Sequence, residues 1–174
     1  MDGIDGKGGI TLRGAREDDY DAIARALRDW WDQPGFDSEL AIRERVAMVP
    51  RLWLQHFAGT SLIAEEAGAL RGFLVGFVSA DRPDEGYIHF VGVSPSARRA
   101  GVGRRLYMRF FEVLKARGCQ RVRCVASPHN ALSVRFHTGM GFAIEPGPAQ
   151  GPAAAYMPDY DGPGIGRVRF VRGV

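Results

Sequence analysis

Between Phe90 and Leu106 the chain passes from a short apolar strand, Phe90-Val91-Gly92-Val93, through Ser94-Pro95-Ser96-Ala97 into Arg98-Arg99-Ala100-Gly101-Val102-Gly103-Arg104-Arg105-Leu106. A strand that turns this sharply into a helix fixes a local β–turn–α unit, and its glycines fix what that unit can hold. The first turn of a helix carries N–H groups without intrahelical partners, and its dipole favours negative charge. Glycine lets an anion approach that backbone, and arginines on both sides supply the guanidinium forks that phosphate oxygens prefer. The segment reads as a pyrophosphate cradle. It is not a Walker loop, which needs Gly-Lys-Ser/Thr where Gly103-Arg104-Arg105 stands. Nor is it a dinucleotide fingerprint, which needs a third small residue at Leu106 and an acid closing the next strand, Arg121 to Ala126.

Charge supports an anionic ligand. The net charge of +3 conceals a stretch from Arg98 to Arg123 in which nine Lys/Arg face one acid, Glu112. That stretch starts at the glycine turn and carries no nucleic-acid-binding motif, so a cofactor with several phosphates accounts for it better than DNA or RNA. No apolar run nears the roughly 20 residues that span a bilayer, so no membrane partner is expected. Cys119 and Cys124 are too few for a disulfide framework and wrongly spaced for zinc, so no metal is expected. The Gly- and Asp-rich residues 1–9 read as a flexible leader rather than a signal peptide, leaving 10–174 as one domain. The expected compartment is the cytoplasm.

Periodicity places the elements. Ile10 to Arg13 is a strand, and Tyr20, Ile23, Ala24, Leu27 and Trp30/Trp31 recur at helical spacing until Asp32-Gln33-Pro34-Gly35. A second helical pattern runs from about Ser38 to His56, interrupted near Pro50. Ser61 to Glu66 and Leu70 to Ala80 form a hairpin through Ala67-Gly68, and a strand covers Gly86 to Val93. The helix after the glycines puts Val102, Leu106, Phe110 and Leu114, with Phe111, on one face and ends at Arg117-Gly118. Strand Arg121 to Ala126, helix Asn130 to Thr138, strand Phe142 to Glu145, a long Gly/Pro/Ala loop and strand Arg167 to Val171 follow. Antiparallel hairpins come first and right-handed helical crossovers later, giving a mixed sheet.

Two motifs in this frame resemble the GNAT acyltransferase superfamily. Arg98-x-x-Gly101-x-Gly103 resembles its acetyl-coenzyme A signature, Arg/Gln-x-x-Gly-x-Gly/Ala, after Val93-x-Pro95 and before a helix. Asn130-Ala131-Leu132-Ser133-Val134-Arg135-Phe136-His137-Thr138-Gly139-Met140-Gly141-Phe142 looks like the downstream motif, an Asn opening a short helix that ends in Gly-Phe. The resemblance covers Ile10 to about Glu145, and the tail loosely. It implies a single-domain α/β (α+β) fold, a mixed, strongly twisted sheet of roughly six or seven strands flanked by about four helices, with a splayed central strand pair. It also implies an N-acetyltransferase using acetyl-coenzyme A as co-substrate. By resemblance, backbone groups of Val91, Gly92 and Val93 meet the pantetheine arm on a bulged fourth strand, joined by Asn130. Arg98 heads the signature, and Arg99, Ala100, Gly101, Val102, Gly103 and Arg104 wrap the pyrophosphate.

The chain departs from the family at two catalytic positions. Where the family has a Tyr that protonates the leaving thiolate, this chain has His137, whose imidazole can donate a proton near neutrality. Where some members have a basic Glu on the fourth strand, Tyr87 stands. His89, two residues on and on the same strand face, is the candidate base, with Glu85 and a water relay as alternatives. Cys124 is an alternative nucleophile that a buried thiol disfavours. Asp29-Trp30-Trp31-Asp32 and Tyr156-Met157-Pro158-Asp159-Tyr160-Asp161 set acids among aromatics, which suits a small cationic amine acceptor. The expected reaction is direct attack by a primary amine within a ternary complex. An acyl-coenzyme A sensor without turnover, a protein lysine or N-terminal acetyltransferase, and a homodimer remain open.

Overall fold

The computed structural model describes residues 9–31 and 38–174. The expected leader, apart from Gly9, and the expected helix break at Asp32-Gln33-Pro34-Gly35 lie outside the described residues. Strand β1 (Thr11–Gly14) opens the chain, and a 3-10 turn over Glu17–Asp19 leads into α1 (Tyr20–Asp29). Arg13 donates two hydrogen bonds to Asp19, at 2.8 and 2.7 Å, fixing the helix start against the strand. Ser38 caps α2 (Glu39–Ala47) by accepting the Ala41 N–H, and α3 (Leu52–His56) follows. The break between them falls at Pro50, which lacks an N–H and disfavours helical backbone at Val49.

Strands β2 (Leu62–Glu66) and β3 (Ala69–Val78) form the expected hairpin. Its turn residues Ala67 and Gly68 both have positive φ, 48° and 76°, as a type I′ turn demands. After β4 (Glu85–Val93) and a 3-10 turn over Pro95–Ala97 comes α4 (Val102–Ala116). It buries the expected face, and Tyr107 beside it. At its end Gly118 has φ 82°, and the Cys119 and Gly118 N–H groups reach the Leu114 and Lys115 carbonyls, each at 3.0 Å. That pattern is a Schellman cap. The chain then runs through β5 (Arg121–Ala126), α5 (Ala131–Gly139), β6 (Ala143–Ile144), β7 (Ala149–Gln150), β8 (Ala155–Tyr156) and β9 (Val168–Gly173). The expected long loop thus contains a small hairpin, β7–β8.

Seven strands form one sheet in the order β1-β2-β3-β4-β5-β9-β6. Helix α4 carries the chain from β4 to β5 in parallel, but only Glu85 to Tyr87 pair with Arg121 to Arg123. The ladder stops there although β4 continues to Val93, as the expected splay of the central pair requires. One connection differs from the sequence expectation. Helix α5 does not deliver β6 beside β5, because the C-terminal strand β9 inserts antiparallel between them.

Contacts divide the chain into two compact units. One comprises the residues up to Phe77 with Ile88–Val113, the other Val78–Tyr87 with Leu114–Val174. In the first, Ile23, Leu27, Val49, Leu54, Ile63, Phe73 and Val75 form a core under α1, α2 and α3. On the opposite face Gly72 admits α4: a Cβ there would lie 3.0 Å from Val102 and 3.2 Å from Leu106. In the second unit Val122, Cys124, Val134, Phe142, Val168 and Phe170 are buried. Gly86 takes the last turn of α4, since a Cβ there would fall 2.3 Å from Leu114.

Candidate active site

Strand β4 is irregular where the site begins. The Ser79 N–H donates to the Glu85 carbonyl and the Ser94 N–H to the Arg71 carbonyl, each at 2.9 Å, so eight steps of β3 stand against nine on the other side. One extra residue on β4 is a β-bulge. It falls at His89–Phe90: His89 stacks on Trp53, which packs on Phe77, while Phe90 stacks on Phe73. Phe73 and Phe77 share one face of β3, and adjacent residues of a regular strand could not both reach it. Just beyond, Gly92 is buried with the Phe73 ring 2.5 Å from where its Cβ would stand. Val91 and Val93 flank it half-buried.

The turn that follows is held from beneath. Ser94 and Ser96 share a hydrogen bond of 2.9 Å, and Arg71 donates to Ser96 at 3.4 Å and to Glu66 at 3.0 Å. Arg98 donates to the Trp30 carbonyl at 2.6 Å, tying the turn to the end of α1. Arg99 then takes φ 68° and Gly101 φ 77°. Left-handed residues two apart curl the backbone into the kind of concave run of N–H groups that binds anions. A non-glycine residue held there is strained, a feature that concentrates at functional sites. Arg99, Ala100, Gly101 and Arg104 are exposed, Gly103 is half-buried, and Val102 anchors the helix in the core. Where a Gly101 Cβ would stand there is open space. These residues fit a pyrophosphate. The supporting Arg71, Ser94 and Ser96 were not singled out from sequence; Ser-Pro-Ser closing a strand was the available signal.

His89 lies in the same unit. Its Nε2 is 2.6 Å from the Met48 carbonyl, and its ring stacks on Trp53 at 4.1 Å and 18°. A carbonyl only accepts, so Nε2 carries the proton, and Nδ1, which meets no donor among the described residues, is the ring's acceptor. Burial pushes the imidazole below its ordinary value, and the Met48 bond offsets part of that.

Asn130 and His137 belong to the second unit. Asn130 caps α5, accepting the Ser133 N–H at 2.9 Å. His137 is 6% exposed, with Nδ1 donating to the Ser133 carbonyl at 2.8 Å and its ring 4.7 Å from Phe170. Burial lowers its pKa, and the Ser133 bond opposes this. Glu85 is buried in ion pairs with Arg123 (2.8 Å) and Arg82 (3.6 Å). Cys124 is buried and burial pushes its thiol up, so it holds no thiolate at neutral pH. Of the expected cation-binding groups, Asp161 is held by Arg167 at 2.6 Å, and Asp159 accepts the Gly164 N–H at 2.6 Å. Arg45 covers the Trp31 ring at 5.2 Å. Asp29 is exposed, and Asp32 lies outside the described residues. Within the basic stretch, Arg109 pairs with Glu112, Arg121 with Asp84 and Arg123 with Glu85.

The chain is similar to known acetyltransferases in sequence and fold. An L-2,4-diaminobutyric acid acetyltransferase of Nocardia farcinica is 31% identical over 83 residues, 48% of this chain and 43% of its own length. A mycothiol acetyltransferase of Sanguibacter keddieii is 31% identical over 140 residues, 77% of this chain and 44% of its own length. The chain thus spans under half the length of either curated relative. Among solved structures, the diaminobutyrate acetyltransferase of Paenibacillus lautus superposes with a TM-score of 0.65 at 19% identity, covering 94% of each chain. The acetyltransferase (GNAT) family model matches residues 21–142, from the first turns of α1 through the glycine cradle to the Gly-Phe end of the α5 motif. The bulged β4, the left-handed cradle and that match together make this chain a member of the GNAT acetyltransferase family.

Proposed function

We propose that the protein transfers an acetyl group from acetyl-coenzyme A to the primary amine of a small molecule, by direct attack within a ternary complex. The observation that carries this is the Arg99–Gly103 turn, strained, open and cationic at the start of α4. Arg99 to Arg104 hold the pyrophosphate, with Arg98 bracing the turn through Trp30. Backbone groups of Val91, Gly92 and Val93 beyond the bulge, and the Asn130 amide, meet the pantetheine arm. When bound, the coenzyme supplies an acetyl group activated as a thioester. Holding it beside the amine provides much of the rate.

Proton movement falls to two histidines. A primary ammonium, with a pKa near 10.4 for a lysine-type amine, must lose a proton before attack, and His89 accepts it at Nδ1. His137 protonates the leaving thiolate. In the neutral Nδ1–H form its Nε2 has no proton to give, so this role belongs to the imidazolium. The acceptor is a small cationic amine, a reading supported by the diaminobutyric acid in the relatives' names.

Thiol release from acetyl-coenzyme A, followed across diamines, polyamines, amino acids and lysine or N-terminal peptides, tests the reading. Amine-dependent release with small diamines is expected. Coenzyme A binding without amine-dependent release would make the protein a sensor, and release with peptides alone would make it a protein acetyltransferase.

A further inference from the structure

Resting on the acetyl-transfer reading, the geometry points to the α2–α3 break as the device that makes His89 a base: the Met48 carbonyl orients its ring, and Trp53 is its positioning residue. Neither residue stands out in the sequence. The break explains both. Helix α2 ends at Ala47 with Met48 as its C-cap, and Pro50 prevents the next turn from continuing the ladder. Carbonyls at a helix end lack intrahelical donors and lie at the negative pole of the dipole. The Met48 carbonyl meets this need with His89 Nε2–H, at 2.6 Å. The chain then turns into α3 and brings Trp53 back over the same ring, locked behind by Phe57 at 5.0 Å and Phe77 at 5.7 Å.

This pairing gives back to the imidazolium part of what burial takes from it. As the amine gives its first proton to Nδ1, the ring becomes an imidazolium. Its Nε2–H bond to Met48 becomes charge-assisted at the end of a helix that favours cations, and the Trp53 face attracts the new charge. The second amine proton leaves to water as the N–C bond forms and the C–S bond breaks, and the thiolate sulfur takes its proton from His137. Burial by Trp53 meanwhile keeps the resting ring neutral and able to accept. Among the described residues, charged neighbours do not compete. On α2, Arg45 bonds the Leu27 carbonyl and covers Trp31, Glu39 and Arg43 pair with each other, and Glu44 is exposed. Beside and on α3, Arg51 engages Glu17, Asp21 and Tyr20, and His56 is exposed. On β4 itself Glu85 is paired with Arg123, and Tyr87 is held neutral by burial.

Two measurements on the full chain decide the matter. Long-range 1H–15N correlation at neutral pH, assigned with His89→Ala, is expected to show His89 as the Nε2–H tautomer; an Nδ1–H tautomer overturns the proposal whatever the activity. The pH dependence of kcat/KM for the amine is expected to show an acid limb below about 6.5, the ordinary histidine value. In Trp53→Leu that limb moves up towards 6.5 and kcat falls about tenfold, with coenzyme A affinity kept; Trp53→Phe retains the wild-type limb. An unmoved limb in an active Trp53→Leu enzyme overturns the positioning role while leaving acetyl transfer intact. Coenzyme A binding with no transfer to any amine overturns the parent reading and the base role together.

Discussion

Arg99 holds φ 68°, a region where a side chain costs about 1–2 kcal/mol. Glycine would relieve that strain but add roughly 0.5–1 kcal/mol of chain entropy to the unfolded state. The two nearly cancel, so Arg99→Gly is expected to keep stability within about 1 kcal/mol of wild type. Coenzyme A affinity should fall about tenfold or more, the value of one charge-assisted hydrogen bond. Calorimetric titration giving equal affinities would remove the Arg99 side chain from the cradle. His137 poses a harder question, because its residue type suggested an acid and its surroundings are aromatic. If its imidazolium protonates the thiolate, His137→Ala lowers turnover roughly 10²-fold with coenzyme A affinity unchanged, and His137→Tyr restores part of the loss. Unchanged turnover with chemistry rate-limiting would leave His137 a core residue. The sequence could offer the imidazole but not the Ser133 carbonyl that fixes its tautomer.

Among the elements, β4 carries the most information per residue. Its glycine at position 92 read as a place where backbone meets a ligand, and the structure adds a packing reason: the Phe73 ring fills the space of a side chain. Gly92→Ala must displace that ring in a fully buried core, at about 1–3 kcal/mol. Chemical denaturation should show this loss, and the double variant Gly92→Ala with Phe73→Leu should recover part of it. Additive losses in the double variant would mean the two residues do not oppose each other. Long periodic elements were legible in advance: β5 runs over the expected residues, and α4 buries the expected face. Short ones were legible only in part. Strand β6 falls inside the expected strand Phe142 to Glu145, but the two-residue strands β7 and β8 lie in what read as a loop, because so few residues have no periodicity to read.

For the molecule as a whole, the buried histidines set an acid limit. His89 and His137 are both held below their ordinary value by burial, so the unfolded chain takes up their protons first as pH falls. Their contribution to stability is complete above about pH 6.5, the unfolded value, and is lost as pH falls towards their folded values. Denaturation midpoints are therefore expected to be flat from pH 8 to 7 and to drop on going to pH 5.5, and His137→Phe should shallow that drop. A variant with the wild-type slope would show that His137 does not titrate on unfolding.

The fold class and the open, arginine-flanked turn at the start of α4 were determined by sequence alone, because both rest on local chemistry: strand and helix periods, a glycine turn, arginines flanking a helix start. Residues that act through distant partners were decided only by tertiary structure. Met48 and Trp53 reach His89 across some forty residues of chain, β9 inserts between two strands it follows, and Glu85 is neutralised by Arg123. Hydrogen bonds and stacking act at fixed distances in space, and those distances exist only once the core has closed.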